Sequence, residues 1–365
     1  MTTVNITPAS PFPKRGRPFE WKPVHYGPTM RAIVQSGYGS VDRLNLSDVP
    51  RPEPAEDEVL VRVRAASVHP DVWHVVAGRP VVLRLMGSGI RRPHERVPGT
   101  DVAGVVESVG SAVTRFKPGD AVFGETVRGV QWSNGGAFAE YATAPEEGVA
   151  LKPSGVSFEE AAAVPTAGLI ALNNLPQHRV PSGSRVLVNG AAGGVGAIAV
   201  QLAKAYGAQV TGVDHASKLA LVRSLGADRV IDYTSEDFTR SGEQWNLIFD
   251  VPGNHSFGAI RRALHPRGSY VLIGHDAFGA IGHRWLGSIP RLLGLVARSA
   301  VSPQLRGGSF ASSDKRQSLG TLAGLMETGQ VRVVLDSIFS LDQVPEAMRH
   351  LMSGQPLGRV VVRID

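Results

Sequence analysis

The chain has 365 residues, 42% of them hydrophobic and 19% charged, with a formal net charge of +6. This is the make-up of a soluble globular protein long enough for two cores. It contains no cysteine, which excludes disulfides, thiolate zinc sites, iron–sulfur clusters and a cysteine nucleophile, and fits a reducing compartment.

Basic residues are scattered, without an Arg/Lys block or interleaved aromatics, so no nucleic-acid partner is expected. Residues 1–29 are polar, basic and proline-rich and hold no apolar run of signal-peptide length. They are expected to form a flexible extension. From Met30 the pattern is β-like: Val59 to Ala65 alternates with period two, and 102–109 and 120–123 repeat the theme between Gly and Pro turns. At Ser157 the texture changes, with Ser157 placed as an N-cap and Glu160 completing a capping box.

Strands and helices then alternate. Strands are predicted at 185–189, 209–213, 229–232, 246–250 and 269–273, and helices at 194–206, 217–225 and 256–264. That order predicts a doubly wound parallel sheet, an α/β fold. The apolar stretch Trp285 to Val301 is interrupted by Pro290, Arg291 and Arg298. It reads as a buried or interface helix rather than a membrane span, so no membrane partner and a cytoplasmic location are expected. A helix (314–328), a strand (331–335), a helix (344–352) and a final strand (359–364) close the chain.

The densest signal is the run from Val186 to Gly196. A short apolar strand enters a turn containing Gly190, Gly193, Gly194 and Gly196, and Val195 opens an amphipathic helix with Ile198, Ala199, Leu202 and Ala203. Glycine permits positive φ and close approach of a ligand to the backbone. The helix start then offers free N–H groups and a favourable dipole to a pyrophosphate. Asp214 ends the next strand, where an acid about 20 residues on holds an adenosine ribose. Ala191 stands where the strict dinucleotide pattern has its first Gly.

Further segments fall in one order along the chain: Ala66-Ser67-Val68-His69-Pro70-Asp71-Val72-Trp73, Pro98-Gly99-Thr100-Asp101-Val102-Ala103-Gly104 and Phe116-Lys117-Pro118-Gly119-Asp120. Gly136-Ala137-Phe138-Ala139-Glu140-Tyr141, Ser224-Leu225-Gly226-Ala227-Asp228 and Gly358-Arg359-Val360-Val361-Val362 follow. With the glycine turn, these resemble the zinc-free, quinone-oxidoreductase-like branch of the medium-chain dehydrogenase/reductase superfamily. The resemblance implies a GroES-like, mainly β catalytic domain built from residues 30–152 and 313–365. It implies a Rossmann domain over 153–312 and an active site in the cleft between the two. It also implies homodimers that pair Rossmann sheet edges, here near Val301 to Leu305.

Zinc-dependent relatives hold a catalytic metal with Cys, His and Cys; here His69, Thr100 and Thr166 fall at those positions, so no zinc is expected. The family cleft would place His69, Asp71 and His74 as the candidate catalytic residues, with His74 at the position of a proton-relay His. An imidazole with an ordinary pKa near 6.5 can donate a proton to a developing oxyanion. The resemblance adds Gly274 to the cofactor contacts of Gly190, Gly193, Gly194 and Val195. Ser217, Lys218 and Tyr233 match positions that contact a 2′-phosphate, whereas Asp214 favours an unphosphorylated ribose. The choice between NADPH and NADH stays open.

Without a Lewis acid, hydride transfer favours acceptors that are already electrophilic. The expected function is therefore NAD(P)H-dependent reduction of a small electrophilic substrate, a quinone or an activated alkene (enone or enal). Two alternatives remain at this point: a zinc-free alcohol or imine oxidoreductase with a His-based proton relay, and a non-catalytic NADPH-binding sensor or scaffold.

Overall fold

The computed structural model describes residues 27–82, 84–128, 133–274, 285–287, 289–305 and 314–365. Most of the expected extension, residues 1–26, lies outside the described residues.

In chain order the first strands are β1 (Thr29–Gln35), β2 (Leu44–Pro50) and β3 (Glu58–Val68), followed by the short helix α1 (Pro70–Ala77). β4 (Asp101–Val109), β5 (Ala121–Glu125), β6 (Tyr141–Pro145) and β7 (Val149–Leu151) come next. The predicted alternating strand is the centre of β3, which pairs antiparallel with both β4 and β6. Val59 and Val61 pack with Phe116 and Val122. A bulge between Val63 and Ala65 then shifts the alternation, so Ala66 and Val68 join Val63 in the core under α1.

Helices α2 (Phe158–Ala162) and α3 (Pro165–Asn174) lead into the second sheet. α2 starts with the predicted capping box: Ser157 accepts from the Glu160 amide and the Glu160 side chain reaches back. The run continues through β8 (Arg185–Asn189), α4 (Gly194–Ala205), β9 (Gln209–Asp214), α5 (Leu219–Ser224) and β10 (Arg229–Asp232). It ends with β11 (Trp245–Asp250), α6 (Phe257–Ala263), β12 (Leu264–Leu272) and α7 (Ile289–Ser299). These strands form one parallel sheet in the order β10-β9-β8-β11-β12.

Both faces of that sheet are buried, which is why its strands read as continuous apolar runs. Val186 and Val188 pack with Ile198 and Leu202 of α4, while Leu187 between them packs with Trp245, Ile260 and Tyr270. Asn189 and Asp250 end neighbouring strands at the same register position, and this C-terminal edge carries the site.

The chain closes with α8 (Lys315–Glu327), β13 (Leu335–Ser340), α9 (Val344–Met352) and β14 (Arg359–Arg363). β14 lies parallel to β13 and antiparallel to β3, so the end of the chain joins the sheet of its first third, in the order β13-β14-β3-β4-β5-β7.

Two expectations shift. The strand predicted at 331–335 lies at Leu335–Ser340. Val331 instead packs irregularly into the core with Leu322 and Met326, and ladder pairing with β14 begins only at Leu335. The 285–301 segment forms a helix at Ile289–Ser299; among its described residues Leu295 is buried while Leu293 and Val296 are exposed, which is not a fully buried helix. Among the described residues, no helix is long and apolar enough to cross a membrane.

Candidate active site

The glycine turn connects β8 to α4. Gly190 has φ +79° and its N–H donates to the Val213 carbonyl, tying the turn to β9. Gly193 is the N-cap of α4 and contributes no side-chain cap, so the helix start keeps its donors for a ligand. A Cβ at Gly196 would collide with the Gly190 carbonyl, and one at Gly194 with Nη1 of Arg359. Val195 is half-buried on the first turn of α4.

Asp214 ends β9 beside this turn. Its Oδ2 accepts from the Ala192 amide at 2.8 Å and its Oδ1 from the His215 amide at 2.9 Å. The acid therefore braces the turn as well as marking the adenosine end. Around it stand Ser217, whose Oγ lies 2.9 Å from Nδ1 of His215, and Lys218, whose Nζ donates to the Gly354 carbonyl at 2.7 Å. The Tyr233 side chain is 56% exposed, and its backbone N–H donates to the Asp214 carbonyl. At the other end Gly274 (φ +81°) follows β12 and donates to the Val251 carbonyl, next to Gly253. The predicted cofactor residues thus line one edge of one sheet. His215 is an addition: nothing local marked it except its place after Asp214.

Arg359 is the larger omission. It opens β14, and its guanidinium lies half-buried against the glycine turn, with Nε enclosed by protein and Nη2 donating to Ser67 Oγ at 3.2 Å. Burial lowers its pKa, while the charges of Asp101 and Asp71 support the cation. Its Nε has no hydrogen-bond partner. A half-buried cation with an unpaired donor at a helix N-terminus fits a dinucleotide phosphate. The available signal was an Arg at the head of an otherwise apolar strand, Val360-Val361-Val362.

The three positions that hold zinc in metal-dependent relatives form a buried polar cluster. His69, 2% exposed, occupies the N-cap position of α1 without a side-chain cap and places Nε2 2.9 Å from Thr100 Oγ1. Its Nδ1 lies 3.7 Å from Asp71 Oδ2 and makes no hydrogen bond. Asp101 is fully buried at the start of β4. It accepts from Ser67 Oγ at 2.9 Å, from Thr166 Oγ1 at 2.5 Å and from the Thr166 amide at 3.3 Å. Its carboxylate thereby caps α3, whose own N-cap, Val164, has no side chain able to do so. Thr166 Oγ1 also lies 3.0 Å from Oε1 of the fully buried Glu125. Lys315 from α8 makes a close ion contact with Oε2 at 2.8 Å.

Burial, the largest influence on His69, opposes its charge, but Asp101 and Asp71 outweigh it and raise its pKa. Burial and Asp101 likewise raise Glu125, against the pull of Lys315 and the Thr166 hydrogen bond. As a zinc donor set, one imidazole and two hydroxyls fit poorly, because both threonines lie against Asp101.

Asp71 sits in the first turn of α1, partly exposed beside His69. His74 is placed differently. It is buried, and its Nδ1 lies 2.8 Å from the Arg79 carbonyl, so that nitrogen carries a proton and fastens the chain leaving α1.

A seven-stranded sheet joining both chain ends to a parallel dinucleotide sheet, with a glycine cradle meeting a buried polar cluster at Arg359, defines a two-domain nucleotide-dependent oxidoreductase. Known proteins agree. Residues 55–154 match a family described as the alcohol dehydrogenase GroES-like domain, and residues 225–362 one described as zinc-binding dehydrogenase. A 2-methylene-furan-3-one reductase of Solanum lycopersicum is 35% identical over 91% of this chain and 79% of its own. The chloroplastic NADPH-dependent alkenal/one oxidoreductase of Arabidopsis thaliana is 34% identical with the same coverages. The solved quinone oxidoreductase of Coxiella burnetii superposes with a TM-score of 0.77 at 28% identity, covering 93% of this chain and 100% of its own. The chain belongs to the medium-chain dehydrogenase/reductase superfamily, in its quinone-oxidoreductase-like branch.

Proposed function

We propose that this protein reduces quinones and activated alkenes in the interdomain cleft with NAD(P)H and without zinc. The observation that carries the reading is the chemistry of the three former metal positions. One imidazole and two hydroxyls bound up with Asp101 supply proton-handling groups rather than a Lewis acid. The names of the tomato and Arabidopsis relatives, a furanone reductase and an alkenal/one oxidoreductase, support the substrate class.

When bound, the nicotinamide supplies the hydride. The chain's own part is to hold the dinucleotide phosphates at Gly193, Gly194 and Arg359, and to meet the negative charge that hydride addition leaves on the acceptor oxygen. His69 is the proton donor in this reading, with Asp71 orienting its Nδ1. His74 fastens the start of the following loop.

Both nicotinamide cofactors fit the adenosine end. Lys218, Ser217 and His215 offer donors to a 2′-phosphate, while Asp214 opposes one. The reading includes a homodimer joined at the edge of the parallel sheet, where residues 303–305 form a single turn beside β12. It also includes a cytoplasmic location, although several plant relatives are named as chloroplast proteins.

The test is to follow NADPH and NADH oxidation by the purified protein against a naphthoquinone, a small enone, an aldehyde and an alcohol. Turnover with the first two supports the reading. Reaction with none of the panel, or oxidation of the alcohol alone, overturns it.

A further inference from the structure

Reducing a quinone or an enone consumes one hydride and one proton, so a buried donor must be reloaded in every cycle. His69 is 2% exposed and cannot draw directly on bulk water. Behind it lies a continuous file of donors and acceptors. His69 Nε2 is 2.9 Å from Thr100 Oγ1, which is 3.5 Å from Asp101 Oδ1. Asp101 Oδ1 is 2.5 Å from Thr166 Oγ1, which is 3.0 Å from Glu125 Oε1. Glu125 Oε2 is 2.8 Å from Lys315 Nζ, and the Lys315 side chain is 22% exposed.

The middle of this file has a proton count. Thr166 owns one hydroxyl hydrogen, yet carboxyl oxygens lie within hydrogen-bond reach on both sides. Both contacts are hydrogen bonds only when one of the two carboxyls is protonated. Burial and the neighbouring Asp101 charge raise the pKa of the Glu125 carboxyl against the pull of Lys315, and so favour the proton on that side. Ser67 Oγ, itself bonded to Arg359, occupies the other oxygen of Asp101 and leaves Oδ1 to the two threonines.

We propose that Lys315, Glu125, Thr166, Asp101 and Thr100 form a proton path that reloads His69 from solvent on the side away from the cofactor. The proposal rests on the reading of His69 as proton donor. In the step itself, His69 gives its Nε2 proton to the acceptor oxygen and becomes neutral, keeping the Nδ1 proton beside Asp71. Glu125 passes a proton to Thr166, which passes its own to Asp101. Asp101 then passes one through Thr100 to His69 Nε2. Lys315 reprotonates Glu125 and is itself reprotonated by water. One proton has then crossed, the electrons travel only with the hydride, and rotation of the two threonine hydroxyls and of the Glu125 carboxyl returns every group to its starting state. The charged groups facing the path are Asp71 and Arg359 at the His69 end and Lys315 at the other. Thr166, Glu125 and Lys315 act through His69 and touch no substrate.

The deciding experiment compares wild type, Thr166→Val and Thr166→Ser by rapid mixing of NADPH and a quinone, following loss of NADPH absorbance, with steady-state rates in H2O and D2O. Valine preserves the shape and removes the hydroxyl. With the path cut, the preloaded His69 supports one fast turnover per site, seen as a burst. Steady-state turnover then falls about 100-fold, the scale of a lost acid–base group, and carries a larger solvent isotope effect. Serine restores linear progress. Should Thr166→Val not fold, Lys315→Met at the solvent end gives the same reading: a burst with slowed turnover supports the path. Linear turnover at the wild-type rate and isotope effect in the folded variant overturns it. Failure of wild type to oxidise NADPH with any acceptor would instead strike the functional reading itself.

Discussion

The glycine turn and the polar cluster behind His69 meet at Arg359 but are built in opposite ways. The turn is made of backbone within seven consecutive residues, Gly190 to Gly196, and works because side chains are missing. The cluster is made of side chains from Ser67, His69, Asp101, Glu125, Thr166, Lys315 and Arg359, contributed by six strands and helices and the residue ahead of α1. A local device tolerates nothing added, whereas a dispersed one tolerates exchange but not the loss of a partner.

Four changes sharpen that contrast, from the largest effect to the smallest. Gly196→Val should cost more than about 4 kcal/mol, because Cβ meets the Gly190 backbone and no side chain can yield. Calorimetry and NADPH titration would show loss of both fold stability and cofactor binding; normal binding would mean the turn is not the cradle. Arg359→Met should destabilise by about 3 kcal/mol, since Asp101 and Asp71 lose their half-buried counter-ion. It should also weaken NADPH binding about tenfold or more, readable by fluorescence titration.

Asp101→Asn acts through His69, whose pKa is raised in the fold. A histidine with a raised folded pKa contributes stability that is complete below its unfolded value, about 6.5, and is lost as pH rises through the folded value. Wild-type stability should therefore decline as pH rises above that point. Asp101→Asn should flatten the decline, and denaturant titrations at several pH values would measure it. The smallest change is Asp214→Ala. Removing the acid should raise NADPH affinity relative to NADH by up to about tenfold, while loss of its bond to the Ala192 amide weakens both. An unchanged ratio would show that Asp214 braces the turn without selecting the cofactor.

The same division explains what could be read from the chain. The turn, Asp214, the Ser157 capping box and the order of the parallel strands all obey rules confined to one segment. Arg359, Glu125 and Lys315 obey none, since each is a single charge whose meaning depends on partners far along the chain. The faint signal was a charge at the end of a buried apolar strand, as in Val122-Phe123-Gly124-Glu125. The strand misplaced at 331–335 failed for a related reason. Its valines are apolar because they fill the core near α8, whereas the true strand, Leu335–Ser340, is half-exposed and weakly patterned. The contact of His74 Nδ1 with the Arg79 carbonyl could not be read from the chain, because its geometry is set by the fold.

The central claim is hydride transfer to an electrophilic acceptor without a metal. It is tested most directly by the rate of NADPH oxidation with a naphthoquinone after exhaustive chelation, measured before and after adding back Zn2+. The account requires full turnover in the chelated protein and no gain on adding zinc. Turnover that vanishes on chelation and returns with zinc would contradict it.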